Sequence, residues 1–99
     1  MKLIVLAQAN DSKRRTLRLL ARTHSISYIR GLQKEVVDKL EWLKDNAFSG
    51  QFEPELEELG LQHRRVIVGP FKIIYRVVSD RIVVTDIFDS RRDPQGMKH

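Results

Sequence analysis

Hydrophobic and polar positions alternate along the last third of the chain and divide it into three strands. Apolar residues recur at alternate positions between His63 and Phe88, and two short pairs, Gly69-Pro70 and Ser79-Asp80, interrupt them. Glycine can adopt the positive φ that begins a type II′ turn and proline fixes a negative φ after it, so Gly69-Pro70 predicts a two-residue hairpin turn. The pattern therefore predicts three consecutive antiparallel strands joined by two tight turns.

These turns predict a register that sorts the strand side chains onto two faces. The first turn pairs Val66 with Ile73, and the second pairs Ile73 with Asp86 and Phe71 with Phe88. Because side chains alternate along a strand, one face is apolar and is expected to pack against helices. Its members are Val66, Val68, Phe71, Ile73, Tyr75, Val77, Ile82, Val84 and Phe88, with Arg64 and Asp86 as polar exceptions. The other face, expected to be uncovered and basic, carries His63, Arg65, Ile67, Lys72, Ile74, Arg76, Val83, Thr85 and Ile87.

The first half of the chain predicts one short strand and two helices. Leu3 to Ala7 is a β-prone run, and the polar residues after it supply N-cap chemistry for a helix from about Ser12 to His24. This helix is expected to turn Leu17, Leu20, Ala21 and His24 to one side.

Ser25 or Ser27 can cap a second helix that ends at about Asp45. Apolar residues spaced three or four apart form its stripe: Ile29, Leu32, Val36, Leu40 and Leu43. Tyr28, Val37 and Trp42 lie off this stripe. We favour the interpretation that they widen the core face over the alternative that they form an apolar patch for a partner.

Residues Phe48 to Gly60 are predicted to form a loop that contains four glutamates, Glu53, Glu55, Glu57 and Glu58. Such a cluster can indicate acid–base chemistry or a metal site. Solvated acids in a loop are much more common, so we expect these glutamates to balance the charge of the basic sheet.

Composition and charge narrow the classes of protein that fit. The 99 residues form a single domain, residues 1–99, and 18 Lys and Arg against 13 Asp and Glu give a net charge of +5, which favours anionic partners. The chain has no cysteine, its three histidines lack the spacing of metal ligands, and it has no glycine-rich phosphate loop, so no cofactor or metal is expected. No apolar run is long enough for a signal peptide or a membrane span, and we expect a cytoplasmic protein without membrane partners.

Two blocks and the order of elements resemble the RelE/ParE superfamily of bacterial toxins over nearly the whole chain. The blocks are Gly69-Pro70-Phe71-Lys72-Ile73-Ile74-Tyr75-Arg76 and Arg91-Arg92-Asp93-Pro94. The resemblance implies an α+β fold of order β-α-α-β-β-β, in which a helical hairpin packs on one face of a twisted antiparallel sheet. It also implies a toxin of a type II toxin–antitoxin pair, held inactive by a cognate antitoxin whose extended acidic tail wraps it.

The superfamily pattern also suggests site residues. RelE-like members cut mRNA with cations on the open sheet face and a Tyr or His near the C-terminus; here the Tyr is missing, and either His63 or His99 would substitute. If the chain is a nuclease, the candidate catalytic residues are His63, Arg65, Lys72, Arg92 and His99. The candidate target- or phosphate-binding residues are Arg65, Lys72, Arg76, Arg91 and Arg92. The alternative is that these cations only keep an exposed sheet soluble, or that Arg91 and Arg92 anchor the tail by pairing with Asp89 or Asp93.

Three functions follow from the resemblance. A ParE-like toxin would poison DNA gyrase, and the missing Tyr together with the Gly-Pro-Phe-Lys block favours this interpretation. A RelE-like toxin would be a ribosome-dependent, metal-independent mRNA endoribonuclease, so enzymatic activity stays open. A non-toxic basic binding module is the third alternative, and the apolar residues Tyr28, Val37 and Trp42 also leave open a homodimer.

Overall fold

A helical hairpin covers one face of a five-stranded sheet in the computed structural model, which describes residues 1–99. The strands are β1 (Lys2–Val5), β2 (Gln51–Phe52), β3 (Arg64–Val68), β4 (Phe71–Val78) and β5 (Arg81–Asp89). The helices are α1 (Ala7–Leu20) and α2 (Ile26–Leu43), and two short 3₁₀ helices span Pro54–Leu59 and Pro94–Gly96. The predicted α+β class and the element order are confirmed.

The sheet has the order β1-β5-β4-β3-β2 and is mixed rather than wholly antiparallel. The strands β2 to β5 pair antiparallel with their neighbours, but β1 runs parallel to β5, with Leu3 opposite Ile82. The two helices and strands β2 to β4 lie between β1 and β5 in the chain, which gives this parallel pair the long connection that it requires. The two-residue strand β2 lies inside the segment that was predicted to be a loop.

The helices differ in how well the sequence predicted them. The hydroxyl Oγ of Ser25 accepts a hydrogen bond from the backbone N–H of Tyr28 at 3.1 Å, which confirms the cap of α2. In contrast, α1 begins at Ala7 rather than Ser12 and ends at Leu20, so the predicted start and end are both wrong. No side chain caps α1, because its start is fixed by the sheet, where the backbone N–H of Leu6 donates to the carbonyl of Val84.

The main core lies between the helices and the sheet. Its buried members are Ala9, Leu17, Leu20, Leu32, Val36, Leu43, Ala47, Val68, Phe71, Ile73, Tyr75, Ile82, Val84 and Ile87. The predicted stripe of α2 is confirmed, with Ile29 and Leu40 half-buried at its margin. Ala21 and His24 are exposed beyond the end of α1, and Tyr28, Val37 and Trp42 are between 41% and 51% exposed, so the prediction that these three widen the core is wrong.

The predicted hairpin register holds up to a β-bulge in β5. Val66 lies opposite Ile73, and Tyr75 lies opposite Val84, as predicted. The pairing then shifts, because Ile74 lies opposite Asp86 and leaves Thr85 as the extra residue of the bulge. The predicted pairs of Ile73 with Asp86 and of Phe71 with Phe88 are therefore wrong, and Ile73 lies opposite Ile87 instead.

The bulge moves side chains between the faces of the sheet. Ile87 enters the main core, whereas Phe88 joins a second cluster on the opposite face with Leu56, Ile74 and Met97. Leu56 belongs to the first 3₁₀ helix and Met97 follows the second, so both segments cover this face. We call the face of the sheet away from α1 and α2 the basic face; the prediction that it is uncovered is wrong.

Candidate functional site

The basic face brings together the three cations that the alternation pattern assigned to it. Arg65 lies opposite Ile74, and Lys72 lies opposite Ile67, so both point to the same side of the sheet as Arg76. This shared side is confirmed. The environment of the cations is different from the expected one, because two of them are only about a quarter exposed, at 24% for Arg65 and 23% for Lys72.

A buried carboxylate explains this partial exposure. Glu53 Oε2 accepts a hydrogen bond from Arg65 Nη1 at 3.1 Å, and Oε1 accepts one from Lys72 Nζ at 3.1 Å. The Glu53 side chain is not exposed at all. One carboxylate thus occupies both cations through two charge-assisted hydrogen bonds, which are stronger than neutral ones.

The backbone around Glu53 holds its carboxylate in place. Its N–H donates to the carbonyl of His63 at 2.9 Å, and Oε2 also accepts from the N–H of Glu55 at 3.2 Å. Glu53 therefore caps the first 3₁₀ helix, whose first residue is Pro54. The expectation of solvated loop glutamates holds for Glu55, Glu57 and Glu58, which are exposed, and is wrong for Glu53.

His63 is also buried on this side of the molecule. The residue is 2% exposed, and neither ring nitrogen has a hydrogen-bond partner. Burial, and secondly the positive charge of Arg76, lower the pKa of His63 below its usual value of 6.5. The backbone of His99 acts in the opposite direction on the pKa of His63, with a smaller effect than burial or Arg76. A neutral ring buried in this way offers little surface to an external substrate, although the residue borders a cavity.

None of the remaining predicted residues forms an ion pair with Glu53. Arg76 Nε donates to the carbonyl of Leu61 at 3.1 Å, and His99 is exposed. Arg91 forms a two-pronged ion pair with Asp89, from Nε to Oδ1 at 2.8 Å and from Nη2 to Oδ2 at 2.7 Å, and this pair lowers the pKa of Asp89. Arg92 is exposed and makes no salt bridge within 4 Å. The alternative prediction that these arginines pair with Asp89 is therefore confirmed for Arg91 and is wrong for Arg92.

The family model described as "ParE toxin of type II toxin-antitoxin system, parDE" matches residues 9–94. The chain belongs to the ParE toxin family. A search of the curated proteins finds no match. Membership of this family makes a cognate antitoxin the partner of the chain and confirms the resemblance to the RelE/ParE superfamily, including the preference for its ParE branch. Neither α1 nor α2 has the length and apolar composition of a membrane-spanning helix.

Two acidic residues of this ParE toxin were missed or misplaced by sequence reasoning. The sequence places Glu53 among the solvated glutamates, and the one local signal to the contrary is Pro54 after it, because proline is favoured at the first position of a helix. Asp86 was assigned to the apolar face; the bulge moves it to the basic face, where its buried Oδ2 accepts from the N–H of Lys98 at 2.8 Å. This contact fastens the C-terminal segment, and only the tertiary structure reveals it.

Proposed function

We propose that this ParE toxin arrests growth by poisoning DNA gyrase through protein–protein contacts rather than by cutting mRNA. The observation that carries the proposal is the pairing of both Arg65 and Lys72 with the buried carboxylate of Glu53. The family match supports the same direction, since gyrase is the target associated with the ParE branch of the superfamily.

The pairing of Arg65 and Lys72 with Glu53 and the burial of His63 do not suit metal-independent cleavage of RNA. Cations must be free to stabilise charge that develops on the phosphate, and a group with a pKa near neutrality must reach the reacting oxygens. A phosphate that approached Arg65 or Lys72 would compete with Glu53 and would be repelled by its negative charge. His63 borders a cavity but is only 2% exposed, and His99 and Arg92 are the exposed candidates that remain.

A gyrase-directed inhibitor needs no chemistry from these side chains. It needs a stable scaffold and an accessible surface, and the basic exposed residues of the helices and of the C-terminal segment provide one. A homodimer is not required by this mechanism and stays a prediction, which the molar mass of the purified toxin in solution would test.

Two measurements on the same cells test the proposed target. Induction of the toxin without antitoxin should arrest growth and produce DNA breaks trapped by gyrase, while primer extension should show intact transcripts. The purified toxin should inhibit supercoiling by gyrase. Unchanged supercoiling together with cleaved transcripts would overturn the proposal in favour of the RelE-like endoribonuclease, in which case Arg65→Ala combined with Lys72→Ala should abolish the cuts.

A further inference from the structure

We propose that the cavity between the first 3₁₀ helix and the start of β3 is a binding site for a guanidinium group. The cavity has a volume of about 390 Å³, and its wall includes Phe52, Glu53, Glu57, Gly60, Gln62 and His63. The inference goes beyond the proposed function, because it assigns a class of ligand to this cavity whatever the target of the toxin is.

The cavity lies in an acidic stretch of a basic chain. Four glutamates and no Lys or Arg occupy positions 53 to 62, although the net charge of the chain is +5. Arg65 and Lys72 pair with the carboxylate of Glu53, but no cation lies within 4 Å of the carboxylate of Glu57, which is exposed at the cavity wall. The uncompensated charge at the cavity is therefore negative, which favours a cationic ligand over a phosphate.

The ring of His63 supplies a hydrogen-bond acceptor that nothing within the chain uses. The residue is 2% exposed and neither ring nitrogen has a partner, although buried polar groups are normally paired. Burial lowers the pKa of His63, so the ring is neutral at neutral pH and one nitrogen carries a lone pair. The ring has to turn towards the cavity to meet a ligand, and this turn breaks no hydrogen bond because the ring makes none. An N–H donor in the cavity would give this nitrogen the partner that it lacks.

The shape and the donors of a guanidinium group fit this wall better than those of an ammonium group. Its planar fork of N–H groups can bind the carboxylate of Glu57 in a two-pronged pair and donate to His63 as well, whereas an ammonium group is a compact point charge. Phe52 already carries the guanidinium of Arg64 over its ring, with Cζ 4.2 Å from the ring centroid, and is still 55% exposed. A second planar cation can therefore stack on the open part of this ring.

The backbone beside the cavity adopts an uncommon conformation that brings these groups together. Gly60 has a φ of 66°, and Gln62 has a φ of 59°, in the left-handed region that residues other than glycine rarely adopt. Such conformations are concentrated at functional sites, where the surrounding structure holds them in place. Here the turn brings Glu57 and His63 to the wall of the same cavity.

Binding of L-argininamide to the purified toxin, followed through the backbone amide shifts in ¹⁵N-edited NMR spectra, tests the site. Saturable binding in the millimolar range or tighter is expected, with the largest shifts at Gly60 and Gln62. L-Citrullinamide, a neutral analogue of similar shape, should bind at least about tenfold more weakly, because it cannot form charge-assisted hydrogen bonds.

Two glutamate variants form the matched pair for this measurement. Glu57→Gln should weaken the binding of L-argininamide by about tenfold, because it removes the free carboxylate of the cavity. Glu58→Gln removes the same charge from an exposed position of the same 3₁₀ helix outside the cavity wall, and it should stay within about threefold of wild type. His63→Phe should weaken binding several-fold. Circular dichroism checks that the variants are folded, and the exposure of Glu57 means that its substitution does not disturb the core.

Inhibition of gyrase distinguishes two sources of the guanidinium group, a free small molecule and an arginine side chain of the target. If the group belongs to the target, Glu57→Gln should inhibit supercoiling less than Glu58→Gln does, and L-argininamide should compete with gyrase. If it belongs to a free molecule, both variants should inhibit as wild type does, while binding of L-argininamide still depends on Glu57.

Three results would overturn the proposal: equal binding of L-argininamide and L-citrullinamide, equal losses in Glu57→Gln and Glu58→Gln, or no saturable shifts at Gly60 and Gln62. A wild-type toxin that leaves gyrase unaffected would instead overturn the proposed function. The NMR result would keep its meaning in that case, because it measures binding to the toxin alone.

Discussion

Glu53 shows how one buried side chain determines what its neighbours can do. Its carboxylate is shielded from solvent, and the two cations that contact it are exposed only in part. The sequence predicts correctly that Arg65 and Lys72 share a face, because alternation along paired strands is a local property. It does not reveal that Glu53 reaches them, because that contact joins residues 12 and 19 positions apart through the path of a loop.

Replacing Glu53 with glutamine should destabilise the toxin by about 2–3 kcal/mol. Breaking a buried ion pair typically costs about 3–5 kcal/mol, and partial exposure of the two cations to water reduces that cost. Urea denaturation measures the change. Glu58→Gln removes the same charge from an exposed position of the same 3₁₀ helix and should change stability by less than about 0.5 kcal/mol. Equal urea midpoints for the two variants would show that the Glu53 contacts contribute nothing to the fold.

The buried ring of His63 should make stability depend on pH in the weakly acidic range. Its pKa is lowered in the folded state, so the unfolded chain binds a proton first as pH falls through about 6.5. The free energy of unfolding should therefore decrease as pH falls from about 6.5 to the lower pKa of the native ring. Urea titrations at about pH 7.5 and pH 5.5 should show this loss in wild type and a smaller loss in His63→Phe. His24→Phe, at an exposed position, should keep the wild-type difference; the same loss in all three proteins would contradict this role.

At the scale of elements, the residue types at the turns and the spacing of apolar residues predicted both hairpin turns and α2. The start of α1 and the bulge in β5 depend on tertiary contacts. Gly69-Pro70 and Ser79-Asp80 set their hairpins in the predicted register, and the spacing of apolar residues gave α2 correctly. The start of α1 was misplaced because the strongest capping residues follow it by several positions, and the chain begins the helix as soon as β1 ends. The bulge at Thr85 was missed because one extra residue leaves no mark on composition or charge.

Replacing glycine with alanine at two positions, Gly50 and Gly31, should change the stability of the toxin in opposite directions. A Cβ at Gly50 would overlap the hydroxyl of Tyr75 and lie 2.8 Å from the carbonyl oxygen of Arg65, so Gly50→Ala should cost about 2–3 kcal/mol of stability. The backbone N–H of Gly50 also donates to that hydroxyl at 3.0 Å. A Cβ at Gly31, within α2, would meet nothing within 4 Å, so Gly31→Ala should stabilise the toxin by about 0.5–1 kcal/mol. Shifts of the urea midpoint in the same direction for both variants would contradict these packing environments.

At the scale of the whole molecule, the sheet is covered on both faces by different means. The helical hairpin buries the main core on one face, and the other face is closed by a short cluster to which the C-terminal segment contributes Met97. The sequence predicted the helical layer because apolar residues recur every three or four positions in an amphipathic helix. The second layer consists of two 3₁₀ helices and a single buried methionine, and such short segments have no periodicity from which to predict them.

Removing the last three residues tests how much this second layer contributes. A chain that ends at Gly96 loses the side chain of Met97, whose burial is worth about 1.5–3 kcal/mol, and leaves the buried carboxylate of Asp86 without the N–H of Lys98, at a cost of about 1–3 kcal/mol. At about 4–8 °C per kcal/mol for a domain of this size, Tm should fall by at least about 10 °C. A chain that ends at Lys98 keeps both contacts, so it should melt close to wild type. If the two shortened chains melt together, the C-terminal segment does not close the basic face in solution, and its exposed arginines would then be presented by a mobile tail.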